Sequence, residues 1–283
     1  MRILIGYKGC TPSLAALHDL RHVGLSDDTE ALIMTVAETW PGPENEEAAK
    51  LVAREGAEKV KRQFPNWTIK SETASGCPAR EILARAKSYK PDLIIVGEPR
   101  YRPSEQNLFV GNTSHILLTE AECSIRIARG DPNESPHPEK ILVAFDGSAG
   151  STRAVQAIAE RSWDSRASVR LLSVADSSVL DTIGRFTPQM TDVSVQTRFA
   201  SQWAESLAAS SKEDLSKAGI PASVQLKLGQ AKGVIIKEAE DWDADIIFMG
   251  PHSSPNSFGR FLIGSVSAAV AVRAHCSVEV VRF

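Results

Sequence analysis

Short apolar runs alternate along this chain with longer stretches whose apolar positions recur every three or four residues. In the first half, Ile3–Gly6, Ala31–Val36, Trp67–Glu72, Leu93–Val96 and Cys123–Ala128 read as strands. Between them Ser13–His22, Asn45–Arg62, Ala79–Ser88 and Thr113–Glu120 read as helices. Runs such as Leu93-Ile94-Ile95-Val96 are apolar at every position, the mark of strands covered on both faces. Alternating strands and helices predict a parallel sheet with right-handed crossovers. A ligand then binds at the carboxyl ends of the strands, where the strand order reverses.

The pattern occurs twice. Ile3-Leu4-Ile5-Gly6 answers to Ile141-Leu142-Val143-Ala144, an offset of 138, and Leu32–Ala37 answers to Arg170–Ala175 at the same offset. Further on the offset is 153: Pro91–Gly97 matches Ala244–Gly250, Gly111-Asn112-Thr113-Ser114 matches Gly264-Ser265-Val266-Ser267, and Cys123–Arg129 matches Cys276–Arg282. Ordered blocks at two fixed offsets identify an internal duplication, which generic strand–helix alternation would not produce. The rise in offset places 15 extra residues after the second strand of copy two, most naturally at Asp181–Gln196, where Gly, Pro and Thr interrupt any helical period. Gly130–Pro138, rich in Pro and polar residues, reads as a connector. The expected organisation is a domain over 1–130, a linker over 131–139 and a domain over 140–283. The fold class is α/β, with two tandem doubly wound domains, each a five-stranded parallel sheet flanked by helices.

Composition narrows the function classes. The 283 residues include 42% hydrophobic and 24% charged, ordinary globular values, and the net charge is −3 with no basic block suited to nucleic acid or a membrane surface. No apolar stretch approaches the ~18 residues of a membrane span. The opening run is too short for a secretory signal. Cys10, Cys77, Cys123 and Cys276 are widely spaced, with no CxxC pair, which suits a reducing cytoplasm.

Copy two carries a family resemblance. Lys140–Ser148, Asp243–Gly250, Gly264–Ser267 and His275–Arg282 resemble the first strand and turn, fourth strand, last helix start and fifth strand of the universal stress protein family, and copy one follows the same order less closely. In the nucleotide-binding branch of that family an Asp ends the first strand. A motif of Gly, two residues, Gly, nine residues and Gly-Ser or Gly-Thr holds phosphate. Glycines let backbone N–H groups approach phosphate, and the helix start adds donors and a favourable dipole. The resemblance implies a site in copy two made of Asp146 against the nucleoside, Val174 on the base, Met249, Gly250 and Ser253 at the loop, and Gly264, Ser265 and Val266 on phosphate. The implied ligand is ATP, with Mg²⁺ accompanying it.

Copy two departs from the motif at Ser253, which replaces the middle glycine; ten residues then separate it from Gly264, and Pro255 removes a donor. Copy one departs further, with Arg100 at the middle glycine, Asn112 after Gly111, and Lys8 in place of the Asp. A nucleotide is therefore expected only in copy two. A purely structural reading stands beside this one, with Gly250 and Gly264 as turn residues, Ser265 as a helix N-cap and Asp146 as a cap or turn residue.

Other motifs carry less. His18 and His22 stand at i, i+4, a zinc spacing, but copy two has Gln156 and Glu160 there, so a solvated helix face is expected and no metal site. Cys123 and Cys276 precede equivalent last strands, a packing position; Cys10 follows the first-strand turn, a place open to an exposed thiol, but no redox role is assigned to it. Ser124–Ala128 and Ser277–Val281 are edge strands expected to pair, within one chain as a pseudo-dimer or between chains as a homodimer. Two functions follow: a cytoplasmic stress-response regulator whose copy two binds ATP, or a scaffold of the same fold acting through protein partners. No catalytic residue is assigned, and slow ATP hydrolysis ranks last.

Overall fold

The computed structural model describes residues 1–37, 43–99, 112–130, 137–175, 193–250 and 263–282, with side chains placed except at 43–45 and 193–198. In the first half, β1 (Arg2–Gly6), α1 (Thr11–Asp19), β2 (Glu30–Ala37), α2 (Pro43–Gln63), β3 (Thr68–Ser75), α3 (Pro78–Tyr89), β4 (Leu93–Gly97), α4 (Asn112–Glu120) and β5 (Ser124–Ala128) follow one another. The second half repeats them as β6 (Lys140–Ala144), α5 (Ala149–Ala159), β7 (Ser168–Ala175), α6 (Val193–Lys217), β8 (Ala222–Leu228), α7 (Ala231–Asp241), β9 (Ile246–Met249), α8 (Ser265–Arg273) and β10 (Ser277–Val280).

Local chemistry sets the boundaries. Proline opens the first turns of α1 and α3, where its missing N–H costs nothing. Ser148 caps α5 by accepting from Ser151 N at 3.2 Å. Lys90, in the left-handed region at φ 51°, ends α3. Two expectations are corrected. Beyond Asp19 the helix tightens into a 3₁₀ turn, Leu20–His22, so His18 and His22 do not share one α-helical face. His22 is not solvated: it is buried, stacks on His137 and approaches Glu139 at 3.6 Å, while His18 is half-buried. Within the expected insertion, 181–192 lies outside the described residues, but Val193–Gln196 already belongs to α6. Once a helix is nucleated, extending it by a turn is cheap even through residues of modest propensity.

The strands form one ten-stranded sheet in the order β3-β2-β1-β4-β5-β10-β9-β6-β7-β8. Each half is parallel throughout, and its order reverses between the first and fourth strands. The two halves meet where β5 pairs antiparallel with β10. Both lateral edges of these strands are thereby consumed within the chain, so the pairing expected of them is internal. One core cluster runs beneath the seam, from Leu4 and Ile94 through Ile125, Ile127, Val278 and Val280 to Leu142.

The seam carries buried charge. Arg126 of β5 stands directly opposite Glu279 of β10, and both are 0% exposed. Arg126 also bonds Asp19 at 2.5 Å and donates to His22 O at 2.8 Å. Arg161 grips the same Glu279 and donates to Val23 O at 3.1 Å. Burial pulls the Arg126 pKa down, but Asp19 and Glu279 outweigh it and leave it raised. A second set of contacts is related by the repeat. Arg129 N donates to Ser277 Oγ at 2.9 Å and Arg282 N to Ser124 Oγ at 3.1 Å. Arg129 also donates to Ala271 O at the end of α8, and Arg282 to Leu118 O near the end of α4. Each half's last arginine thus caps the other half's last helix, where a cation complements the dipole.

Removing one member of a buried ion network strands the others. Arg126→Ala should lower the unfolding free energy by about 3–5 kcal/mol in a denaturant titration. Arg166→Ala, which breaks only the solvent-exposed pair with Asp164, should leave the midpoint unchanged within error.

Candidate functional site

The carboxyl ends of β6 and β9, at the reversal of strand order, open onto a cavity of about 250 Å³. Asp146, Val174, Met249, Gly250, Gly264, Ser265 and Val266 all line it, so seven of the eight residues picked from the sequence come together. The eighth, Ser253, lies outside the described residues, as do His252, Pro255 and Gly259. Asp146 sits in the turn between β6 and α5, exposed at the cavity mouth, with Oδ1 accepting from Ser148 N at 3.0 Å. Burial is the largest single influence on its carboxyl and pushes the pKa up. Hydrogen bonds from Ser148 and Ser151 together outweigh burial and hold it below the usual carboxylate range. Val174 and Met249 supply apolar wall.

The amino end of α8 lines the same cavity. Gly264 is its N-cap and has no side chain to offer, so the expectation that Ser265 is the cap is corrected: Ser265 is the first residue inside the helix. The backbone N–H groups of the first turn have no intrahelical acceptor and sit where the helix dipole favours negative charge. A carboxylate and a helix amino end therefore line one cavity. Reading the sequence missed Ala231 and Ile235 of α7, and Ser148 and Ser151 of α5, all of which line it. The serines were legible as a polar pair three residues apart directly after Asp146-Gly147. The α7 pair carried only the ordinary apolar period of a packed helix.

Gly250 has a packing reason of its own. A Cβ there would lie 2.1 Å from the Gly150 carbonyl carbon, because α5 crosses directly over the end of β9. In the first half a Cβ on Gly97 would lie 1.8 Å from Pro12 O of α1. The first-half cavity is larger, about 390 Å³, and is lined by Lys8, Gly97, Glu98, Asn112 and Ser114 with an apolar wall of Met34, Val36, Ile82 and Val96. Arg100 and Gly111 lie outside the described residues. An open groove of about 1100 Å³ follows the seam, but Arg80 with Glu120 and Arg153 with Glu160 already pair along it.

Among the described residues no group of three or more His, Cys, Asp and Glu side chains is placed to hold a metal ion. None of the helices described is long and apolar enough to cross a membrane. Burial pushes the Cys123 thiol up to about 11 and the Cys276 thiol up to about 12, which makes both poor nucleophiles. Cys10 is only half-buried, with Sγ 3.6 Å from Ser13 Oγ.

Residues 1–129 and 138–282 each match the family model described as the universal stress protein family. A Staphylococcus saprophyticus protein classed with the universal stress proteins is 31% identical over 146 residues, covering 51% of this chain and 83% of its own length. The crystal structure of a universal stress protein from Archaeoglobus fulgidus superposes with a TM-score of 0.70 at 19% identity, over 99% of this chain and 98% of that one. A functionally unknown Pseudomonas aeruginosa protein does so with a TM-score of 0.62 at 16% identity, over 99% and 92%.

Two measurements follow from this geometry. Gly250→Ala forces a methyl into the α5 backbone and should cost at least ~1–3 kcal/mol. Gly233→Ala in α7, whose Cβ would meet nothing within 4 Å, should be neutral or stabilise by up to ~1 kcal/mol; paired thermal melts check both signs. Asp146 has a folded pKa below its unfolded value of about 3.9. Its stabilisation is therefore complete above that pH and is lost as pH falls through the lowered value. Asp146→Asn should flatten this part of the acid-unfolding curve.

Proposed function

This chain belongs to the universal stress protein family, and from that premise we propose that its second half binds a nucleotide, ATP with accompanying Mg²⁺, in a cytoplasmic stress-response regulator whose output depends on occupancy. One observation carries the reading: Asp146 and the amino end of α8 line the same cavity at the reversal of strand order. In this proposal the Asp146 carboxylate accepts from ribose hydroxyls. Val174 and Met249 take the base, and the N–H groups of Ser265 and Val266 take phosphate beside Gly250, Gly264 and Ser253. Phosphate oxygens would supply most of the Mg²⁺ ligands, as is usual for this hard, oxygen-seeking ion. At about 250 Å³ the described cavity falls just short of the ~300–1,000 Å³ usual for ligand sites. It is sized for part of a nucleotide, with phosphates lying at the open end beside α8. The proposal includes no catalytic step; sustained phosphate release above a heat-inactivated control would add one.

A second reading, a scaffold acting through protein partners, is favoured by a separate observation. Phe199 and Trp203 stand one turn apart on α6 and are 46% and 53% exposed. Large exposed aromatics of this kind are typical anchors of protein contacts.

Native mass spectrometry of the purified chain with ATP and Mg²⁺ separates the two. The nucleotide reading predicts one ATP-sized adduct per chain. Asp146→Ala should weaken it about tenfold or more, the equivalent of losing a hydrogen bond to a charged group at ~1.5–3 kcal/mol. Absence of any adduct at millimolar ATP would overturn it. Partner capture abolished by Phe199→Ala and Trp203→Ala would then support the scaffold.

A further inference from the structure

We propose that the open groove along the seam is a docking site for an extended, acidic, proline-containing peptide of a partner protein. Equivalent residues pair antiparallel across the seam, which gives it approximate two-fold symmetry and two sides of like construction. On one side Asp245, Cys276, Ser277 and Arg129 surround a space of only about 50 Å³. Their counterparts in the repeat, Asp92, Cys123, Ser124 and Arg282, line the groove of about 1100 Å³ on the other. The likeness extends to hydrogen bonds: Asp245 Oδ2 accepts from Lys140 N, and Asp92 Oδ2 from Arg2 N, both at 2.7 Å. The smaller side is closed by the connector between the halves. His137 stacks on His22 and brings Nε2 to 3.4 Å from Asp245 Oδ1, and Glu139 approaches His22. Among the described residues nothing takes the place of His137 in the groove.

Charge decides what the groove takes. Six basic side chains line it against four acidic ones, and Lys90 stands where the filled side has Asp243. Arg80, Arg153 and Arg161 already hold carboxylates of the protein. Lys87, Lys90 and Arg282 form no salt bridge among the described residues, and the two lysines are exposed. Arg282 is 4% exposed. Arg129 Nη1 donates to Cys276 O at 3.2 Å, whereas Nη1 and Nε of Arg282 have no hydrogen-bond partner among the described residues. Burial pulls the Arg282 pKa down. A buried cation of this kind is costly until an anion comes to it, and basic clusters are a general means of reading acidic motifs. The connector supplies the pattern of an occupant: residues 131–139 contain Asp131, Glu134, Glu139 and three prolines, with no lysine or arginine. Proline-rich segments are extended before they bind, so they lose little entropy on docking. The groove shares no lining residue with the second-half cavity, so peptide docking and nucleotide binding stand or fall separately.

The test is a fluorescence-polarisation titration of the full chain against a fluorescein-labelled peptide with the sequence of residues 131–139, Asp-Pro-Asn-Glu-Ser-Pro-His-Pro-Glu. A second peptide carries lysine at the three acidic positions. The expected result is saturable binding of the acidic peptide, one per chain, that weakens as salt is raised, and no binding of the lysine peptide. Lys87→Glu combined with Lys90→Asn should weaken binding by about tenfold or more. Both positions are exposed, and asparagine tolerates the left-handed conformation of Lys90, so this variant folds. Asp243→Asn, on the filled side of the seam, should leave the affinity unchanged, which excludes displacement of the connector as the source of the signal. Three results would each overturn the proposal: no polarisation change up to sub-millimolar chain, equal binding of the two peptides, or affinity insensitive to the lysine variant.

Discussion

Everything in this molecule depends on the antiparallel pairing of β5 with β10. Each half ends its sheet in a short apolar strand, and such an edge, left open, recruits another strand. Joining the two edges removes both and makes one sheet of ten strands. At the centre of the pairing Arg126 faces Glu279, and these are equivalent positions of the repeat. Two identical halves paired the same way would bury like charges against each other, Arg on Arg or Glu on Glu, which is destabilising across a ladder. The surrounding charges are equally one-sided. The partner of Asp19 in the repeat is Ala157, and that of Arg161 is Val23. The buried network therefore balances only between unlike halves, and discrimination of this kind comes as much from the penalty on wrong pairings as from the gain on the right one.

The antiparallel seam also fixes where ligands can go. Strands run parallel within each half and in opposite senses in the two, so their carboxyl ends open at opposite edges of the sheet. The two cavities cannot share a ligand. They are connected mechanically all the same. The helices α4 and α8 begin at their own cavities and end beneath an arginine from the other half, Arg282 and Arg129 respectively. Anion binding at the start of such a helix and a cation at its end act on one dipole. Each cavity is therefore braced by the half that does not contain it.

Much of this was legible in the sequence, and the limits are physical. The parallel strands of each half, the reversal of strand order and seven residues of the second cavity follow from apolar periodicity, the repeat and the resemblance. Those signals are local or recur at a constant offset. The buried charges were not legible. In Ser124-Ile125-Arg126-Ile127-Ala128 the alternation makes Arg126 read as the outward-facing position of an edge strand, because its partner Asp19 lies 107 residues away on α1. The same holds for His22, placed on a solvated face by helical period but buried once the helix tightens and the seam closes over it. For Glu98 the sequence alignment of the halves compares it with Pro251, and nothing in that comparison says that its side chain turns back to Ser114.

The glycines separate shape from chemistry. Gly97 and Gly250 are both imposed by close passage of a helix backbone over the end of a strand, Pro12 in one half and Gly150 in the other. They would persist whether or not either half bound anything, so their presence says only that the crossing is retained. Among the described residues, what differs between the halves is charge: Lys8 against Asp146, and Glu98 bonded to Ser114 in the first turn of α4. Packing keeps the two cavities alike in outline because any loss there costs stability at once. The charged groups at their rims are exposed or half-buried and cost little to exchange. That is where two copies of one fold can diverge in what they bind while their cores stay the same.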